Sequence, residues 1–144
     1  MILLDASGLL AAIDGSQRHH AACAAILEES MPPFLLSPFV LAELDYLLAT
    51  HVGAREQAAL LDEVARGAYR LEPFGAADVA MARDVIRRYS DLEIGLADAS
   101  IVVLAHRHGA RDVLTLDERH FRALRTPDRR RFRLLPTDRE RRSR

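Results

Sequence analysis

Apolar positions along this chain fall into two kinds of pattern: short solid runs, and longer stretches with helical spacing. Ile2-Leu3-Leu4 is a solid run that stops at Asp5 and reads as a buried strand. Ser7 is placed to cap a short helix ending at Ile13. A second helix fits residues 16–29, with Ala21, Ala22, Ala25 and Ile26 on one face, and Pro32-Pro33 ends it. Phe34-Leu35-Leu36 reads as the next strand. Ser37-Pro38 then opens a helix, a capping hydroxyl followed by proline at the first helical position. That helix runs to about Thr50, and Gly53 separates it from another over residues 55–66, stopped by Gly67. Residues 69–72 read as a third strand and residues 76–89 as a helix. An apolar helix follows over residues 96–108, with Gly109 as its natural C-cap. Val113-Leu114-Thr115-Leu116 is a strand ending at Asp117. Residues 132–135 form a last strand before Pro136, and the residues beyond are expected to be a frayed tail.

Short apolar strands separated by helices predict an α/β fold with a parallel sheet covered on both faces. In such sheets the ligand crevice lies beyond the carboxyl ends of the strands. Asp5 and Asp117 each stand where an apolar strand ends, so both are expected on that edge.

The chain has 144 residues, 49% of them hydrophobic, which fits one domain with one real core. Its longest charge-free apolar run, Met31 to Ala42, is 12 residues, short of the roughly 20 that a membrane-spanning helix needs. No basic region precedes the first apolar residues and Asp5 interrupts them, so no signal peptide is readable. The single cysteine, Cys23, cannot close an internal disulfide and reads as a small core residue, in keeping with a reducing cytoplasm. There is no lysine, and all 20 basic residues are arginine. That removes a part which Walker-type phosphate loops and the usual phosphotransfer sites depend on. The net charge of −1 hides an asymmetry: residues 1–118 carry −9 and residues 119–144 carry +8. An acidic body with a basic end points to two tasks, gathering cations and holding anions.

Two carboxylates sit among apolar residues. The helical neighbours of Glu43 are Phe39, Val40, Tyr46 and Leu47, and those of Asp98 are Ile94, Gly95, Ile101 and Val102. Both are therefore expected on covered faces, where an unpaired carboxylate costs several kcal/mol unless it protonates or finds a partner. A cation shared by several carboxylates would relieve all of them at once. Oxygen ligands without histidine or cysteine at ligand spacing favour Mg²⁺ or Mn²⁺ over Zn²⁺. Phosphodiester hydrolysis is the chemistry that needs such a cluster.

Asp5-Ala6-Ser7 after a leading strand, Glu43 in Ala42-Glu43-Leu44-Asp45, Asp98 in Leu96-Ala97-Asp98-Ala99, and Asp117 in Thr115-Leu116-Asp117 together resemble the PIN-domain nucleases. More narrowly, they resemble the VapC toxins of bacterial toxin–antitoxin pairs. The resemblance covers about residues 1–136, with residues 137–144 as a basic, disordered tail. It implies a three-layer α/β/α fold with a central, mostly parallel sheet. It implies a cytoplasmic endoribonuclease dependent on Mg²⁺ or Mn²⁺ that cuts structured transfer or ribosomal RNA. It also implies inhibition by a small VapB-like antitoxin, a homodimer and higher toxin–antitoxin assemblies. Residue by residue, Asp5, Glu43, Asp98 and Asp117 become the acidic quartet. Asp5 and Asp98 are the metal ligands, Glu43 orients water, and Asp117 completes the site, through water if not directly. Ser7 and Thr115 support these carboxylates by hydrogen bonding.

The basic end fits the same reading, since an acidic metal site needs a basic surface nearby to attract RNA. Arg119, Arg122 and Arg125 recur at helical spacing, and Arg129, Arg130 and Arg131 form a run. Guanidinium groups bind phosphate bidentately and stack on bases. The bland readings stand beside the sharp ones. Asp117 also suits the N-cap of a helix opening at Glu118, and Ser7 a simple cap. Asp45 reads as a structural or interface acid, and Asp14, Asp91 and Glu93 as loop acids. The histidines, His120 and His108 included, read as surface residues. The nearly all-apolar helix 38–50 is expected deep in the core or at an interface, with Phe39, Tyr46 and Leu47 available to a second copy or an antitoxin. A stand-alone PIN nuclease of RNA maturation and a non-catalytic RNA-binding module remain as alternatives.

Overall fold

The structure, a computed structural model, describes residues 1–143. Five strands form one sheet: β1 (Ile2–Leu4), β2 (Phe34–Leu36), β3 (Arg70–Leu71), β4 (Asp112–Leu114) and β5 (Arg133–Leu135). Their order is β3-β2-β1-β4-β5, and every pairing is parallel. Eight α-helices surround the sheet among the described residues: α1 (Ala6–Ile13), α2 (His20–Glu29), α3 (Pro38–His51), α4 (Ala54–Ala65), α5 (Ala76–Arg88), α6 (Leu96–His108), α7 (Glu118–Ala123) and α8 (Thr137–Arg142). Successive strand side chains point to opposite faces. All residues of β1 and β2 are buried, so both faces of the sheet centre are covered and the architecture is three-layered α/β/α. Leu3, Leu4, Leu35, Leu36 and Val113 are fully enclosed, each contributing roughly 1.5–3 kcal/mol relative to exposure. Cys23 lies in this core. No helix is long and apolar enough to cross a membrane among the described residues.

Strand order explains where a site can form. From β1 the chain builds outward through β2 to β3, then returns to the other side of β1 to place β4 and β5. The order reverses between β1 and β4, and ligands of open parallel sheets bind beyond the strand ends at such a point. Asp5 follows β1 and Thr115 follows β4 there. The Asp5 N–H donates to Leu114 O at 3.1 Å, holding the two ends together.

Several boundaries differ from the sequence expectation. The N-cap of α1 is Asp5, not Ser7, which lies inside the helix with its hydroxyl committed elsewhere. Helix α2 begins at His20 rather than Ser16. The Asp14 carboxylate accepts from Ser16 N–H, Ser16 Oγ and Gln17 Nε2, fixing a turn that uses up the would-be first helical residues. Strand β4 ends at Leu114, so Asp117 stands two residues past Thr115 and caps α7. The segment expected to fray forms α8, because Asp138 pairs with Arg122 and accepts from Leu134 N–H at 2.8 Å. Arg139 also pairs with Glu29.

Candidate active site

Asp5 is the buried anchor of the site, only 5% exposed. Two hydroxyls donate to the same oxygen, Oδ2: Ser7 Oγ from the first turn of α1 and Thr115 Oγ1 from beyond β4, each at 2.7 Å. Oδ1 receives neither. Both hydroxyls also accept backbone N–H groups, Ser7 from Leu116 at 3.0 Å and Thr115 from Asp117 at 2.9 Å. The pKa of Asp5 is nevertheless raised, because burial outweighs these hydrogen bonds and Asp117 adds like charge.

Asp98 projects from the first turn of α6 and is half-buried. Its pKa rises to about 6, chiefly through burial, then through the charge of Asp5 and, more weakly, of Asp117. His120 opposes this, with Nδ1 3.9 Å from Asp98 Oδ2. Asp117 binds the same residue more closely. Its Oδ1 accepts from His120 N–H at 3.1 Å as the α7 cap, and its Oδ2 accepts from His120 Nδ1 at 2.8 Å. A carboxylate only accepts, so Nδ1 carries the hydrogen. Both oxygens of Asp117 are engaged by one residue. The sequence places His120 among the surface histidines; the structure sets it between two of the acids. The available signal was the spacing, since an N-cap and the third residue after it share one helix face.

Glu43 departs from expectation in the other direction: it is exposed. The buried stripe of α3 is Val40, Leu44 and Leu48. This helix has more apolar residues than its core-facing side can take, so Glu43 and Tyr46 turn to solvent. Glu43 still senses the centre, its pKa raised by partial desolvation and by the charge of Asp5. Asp45, half-buried, accepts from Gln57 Nε2 at 2.8 Å and ties α3 to α4. A second buried carboxylate escaped the sequence reading. Glu72, 7% exposed after β3, contacts Arg70, Arg107 and His108 and joins β3 to the end of α6.

The four acids thus share one electrostatic neighbourhood, and among the described residues none of them is paired with an arginine. Three of them have raised pKa values, in each case chiefly through burial and then through the like charge of another acid of the group. Their oxygens suit a hard divalent ion. Among the described residues no three histidine, cysteine, aspartate or glutamate side chains stand close enough together to hold a metal ion. Mg²⁺ does not require three, because it keeps several waters and binds through one or two carboxylates.

The six candidate arginines divide. Arg122 pairs with Asp138 and Glu118. Arg125 Nη1 donates to the carbonyls of Arg122, Ala123 and Leu124, closing the end of α7. Arg130 pairs with Asp128 within a tight loop bridged by Arg125 and Arg131. Arg119, Arg129 and Arg131 are exposed and carry no ion pair among the described residues.

The sequence matches the PIN domain family over residues 2–126. It is 46% identical over 124 residues to ribonuclease VapC26 of Mycobacterium tuberculosis, a span of 86% of this chain and 92% of that protein. The fold is similar to the crystal structure of VapC20 from Mycobacterium tuberculosis, a toxin that cleaves the sarcin-ricin loop. That match has a TM-score of 0.77 at 21% identity and covers 83% of this chain and 92% of the other. FitAcB from Neisseria gonorrhoeae matches with a TM-score of 0.54 at 24% identity, covering 78% and 88%. At these identities the two structures speak for the fold alone. Fold, family match and close sequence relative agree: the chain belongs to the PIN-domain family and, within it, to the VapC ribonucleases.

Proposed function

We propose that this protein is the toxin of a toxin–antitoxin pair, a cytoplasmic endoribonuclease dependent on Mg²⁺ or Mn²⁺ that cuts structured ribosomal or transfer RNA. A VapB-like antitoxin restrains it, within a homodimer and higher assemblies of the two proteins. The observation that carries the catalytic reading is the Asp5–Asp98 pair: a buried and a half-buried carboxylate, both with proton affinity raised chiefly by burial, Asp98 further by the charge of Asp5, and neither paired with a guanidinium among the described residues. In support, a close relative is a ribonuclease and a structural neighbour cleaves the sarcin-ricin loop.

Asp5 and Asp98 are the residues that hold the cation, Asp5 through Oδ1 because Ser7 and Thr115 occupy Oδ2. When bound, the cation stabilises charge on the phosphate and makes an attacking water more acidic. Glu43, exposed and within range of the Asp5 charge, orients that water and takes its proton. Asp117, with both oxygens turned to His120, acts by fixing His120 and the solvent around Asp98. Arg119, one residue before His120, and Arg129 and Arg131 hold the phosphates of the flanking strand.

Incubation of the purified protein with ribosomal and transfer RNA in Mg²⁺, in Mn²⁺ and in EDTA tests this. Cleavage is expected only with metal, and Asp98→Asn lowers it by at least about a hundredfold while circular dichroism stays unchanged. Cleavage in EDTA, or full activity in Asp98→Asn, overturns the assignment.

A further inference from the structure

Tyr46 is 65% exposed, and it is the only aromatic among the large apolar side chains that the described residues leave in solvent. Burying an aromatic ring is strongly favourable, so a ring left out in water is available to a partner that can cover it. Its position narrows the choice of partner. Ala42, Glu43, Tyr46, Ala49 and Thr50 form the exposed stripe of α3. Tyr46 stands one turn beyond Glu43 on the same helix face, at a Cβ separation of about 5–6 Å. The Ser37 hydroxyl that caps α3 lies 2.6 Å from the Ser100 hydroxyl on α6, two residues after Asp98, so α3 starts out against the helix that carries Asp98. Ala42 and Ala49, one turn to either side of the tyrosine, are too small to cover its ring.

We propose that Tyr46 stacks on a nucleobase adjacent to the scissile phosphate and so sets how the RNA strand enters the site. This rests on the nuclease reading above. A protein partner buries an aromatic anchor within a packed patch of other contacts. Along its own stripe of α3 the ring has only methyl groups, a hydroxyl and a carboxylate beside it. A base needs one planar face and nothing around it, and unstacked bases are read by stacking on aromatic side chains. Phosphates on either side of that base then fall to the exposed arginines, not to α3, which offers them no cation on this stripe.

Steady-state cleavage of a short single-stranded RNA by wild type, Tyr46→Leu and Tyr46→Phe tests the assignment, together with binding of the same RNA carrying 2-aminopurine by Asp98→Asn in EDTA. Tyr46→Leu is expected to raise KM about tenfold while kcat stays within about twofold. Tyr46→Phe, which keeps the ring, restores KM. In Asp98→Asn the 2-aminopurine is quenched on binding, and adding Tyr46→Leu abolishes the quench. Melting curves identical to wild type exclude a folding effect, as expected for so exposed a residue. A wild-type KM in Tyr46→Leu overturns the proposal. So does a changed sedimentation mass at unchanged KM, which makes Tyr46 a protein contact. If wild type fails to cut RNA in either metal, the nuclease reading falls and the stacking with it. If wild type cuts and KM is indifferent to Tyr46, the stacking alone falls.

Discussion

Proton counting at single residues shows how Asp5 is held. Ser7 and Thr115 have one hydroxyl hydrogen each, and both are given to Asp5 Oδ2. Their lone pairs take the Leu116 and Asp117 N–H groups. The 3.3 Å approach of one hydroxyl to the other therefore carries no hydrogen bond. The orientation of Asp5 is in this way locked to the loop that leads to Asp117. Thr115→Val keeps the shape and deletes the hydroxyl, leaving Oδ2 one donor short and the Asp117 N–H without its acceptor. Loss of about 1–3 kcal/mol is expected, with lower activity because Asp5 turns more freely. Urea melts of Thr115→Val, Ser7→Ala and the double variant check this. The double variant is expected to cost less than the sum, since both hydroxyls serve one oxygen. Strict additivity would show that the two act independently.

At the scale of elements, α1 rests directly on the main chain of β4. A Cβ at Gly8 would stand 2.4 Å from Leu114 O and 2.8 Å from Thr115 N, both backbone atoms that no rotamer change can move. Gly8→Ala therefore pushes α1 away from β4 and takes Ser7 with it. A cost of about 1–3 kcal/mol follows, read as a melting temperature lower by roughly 5 °C. A cleavage rate that falls further than stability explains would place the damage at Asp5. An unchanged melt would mean that the contact is not as tight as drawn. This contact was hidden in the sequence, where Gly8 is only one small residue in an apolar helix. What local chemistry dictates was legible: α6 ends at Gly109 and α3 opens at Ser37-Pro38 as expected. Where two local devices compete, the reading went astray. Asp14 captures Ser16 into a turn, and Asp138 reaches back to Arg122 across 16 residues to fold the expected tail.

Across the whole molecule, the ends of β1, β2 and β5 are legible in the sequence, that of β4 is set two residues too late, and their order is not legible at all. Which acids meet depends on β4 lying beside β1, a pairing more than 100 residues apart that no local pattern encodes. The family resemblance supplied that information; the exposed Glu43 shows where helical periodicity misleads, and the half-buried His120 is a histidine expected at the surface. The assembled site has a global consequence for stability. Asp98 has a pKa near 6 in the folded chain against an ordinary 3.8. An acid raised by folding weakens the fold as pH rises. Below about pH 4 both states hold the proton. Between about pH 4 and 6 the unfolded chain releases it first, and above that the folded state bears the full cost, at most about 3 kcal/mol. Asp98→Asn removes that cost. In EDTA at pH 7.5 the variant is expected to melt above wild type, and the gap is expected to close as pH falls toward 4. Opposing shifts elsewhere, such as Asp138 held low by Arg122, are common to both proteins and cancel in the comparison. Added Mg²⁺ at pH 7.5 is expected to raise the wild-type melting temperature and leave that of Asp98→Asn nearly unmoved, because ligands stabilise only the state that binds them. A gap that ignores both pH and Mg²⁺ would mean that Asp98 is neither crowded by Asp5 nor poised for a cation, and the site would have to be sought elsewhere on the strand edge.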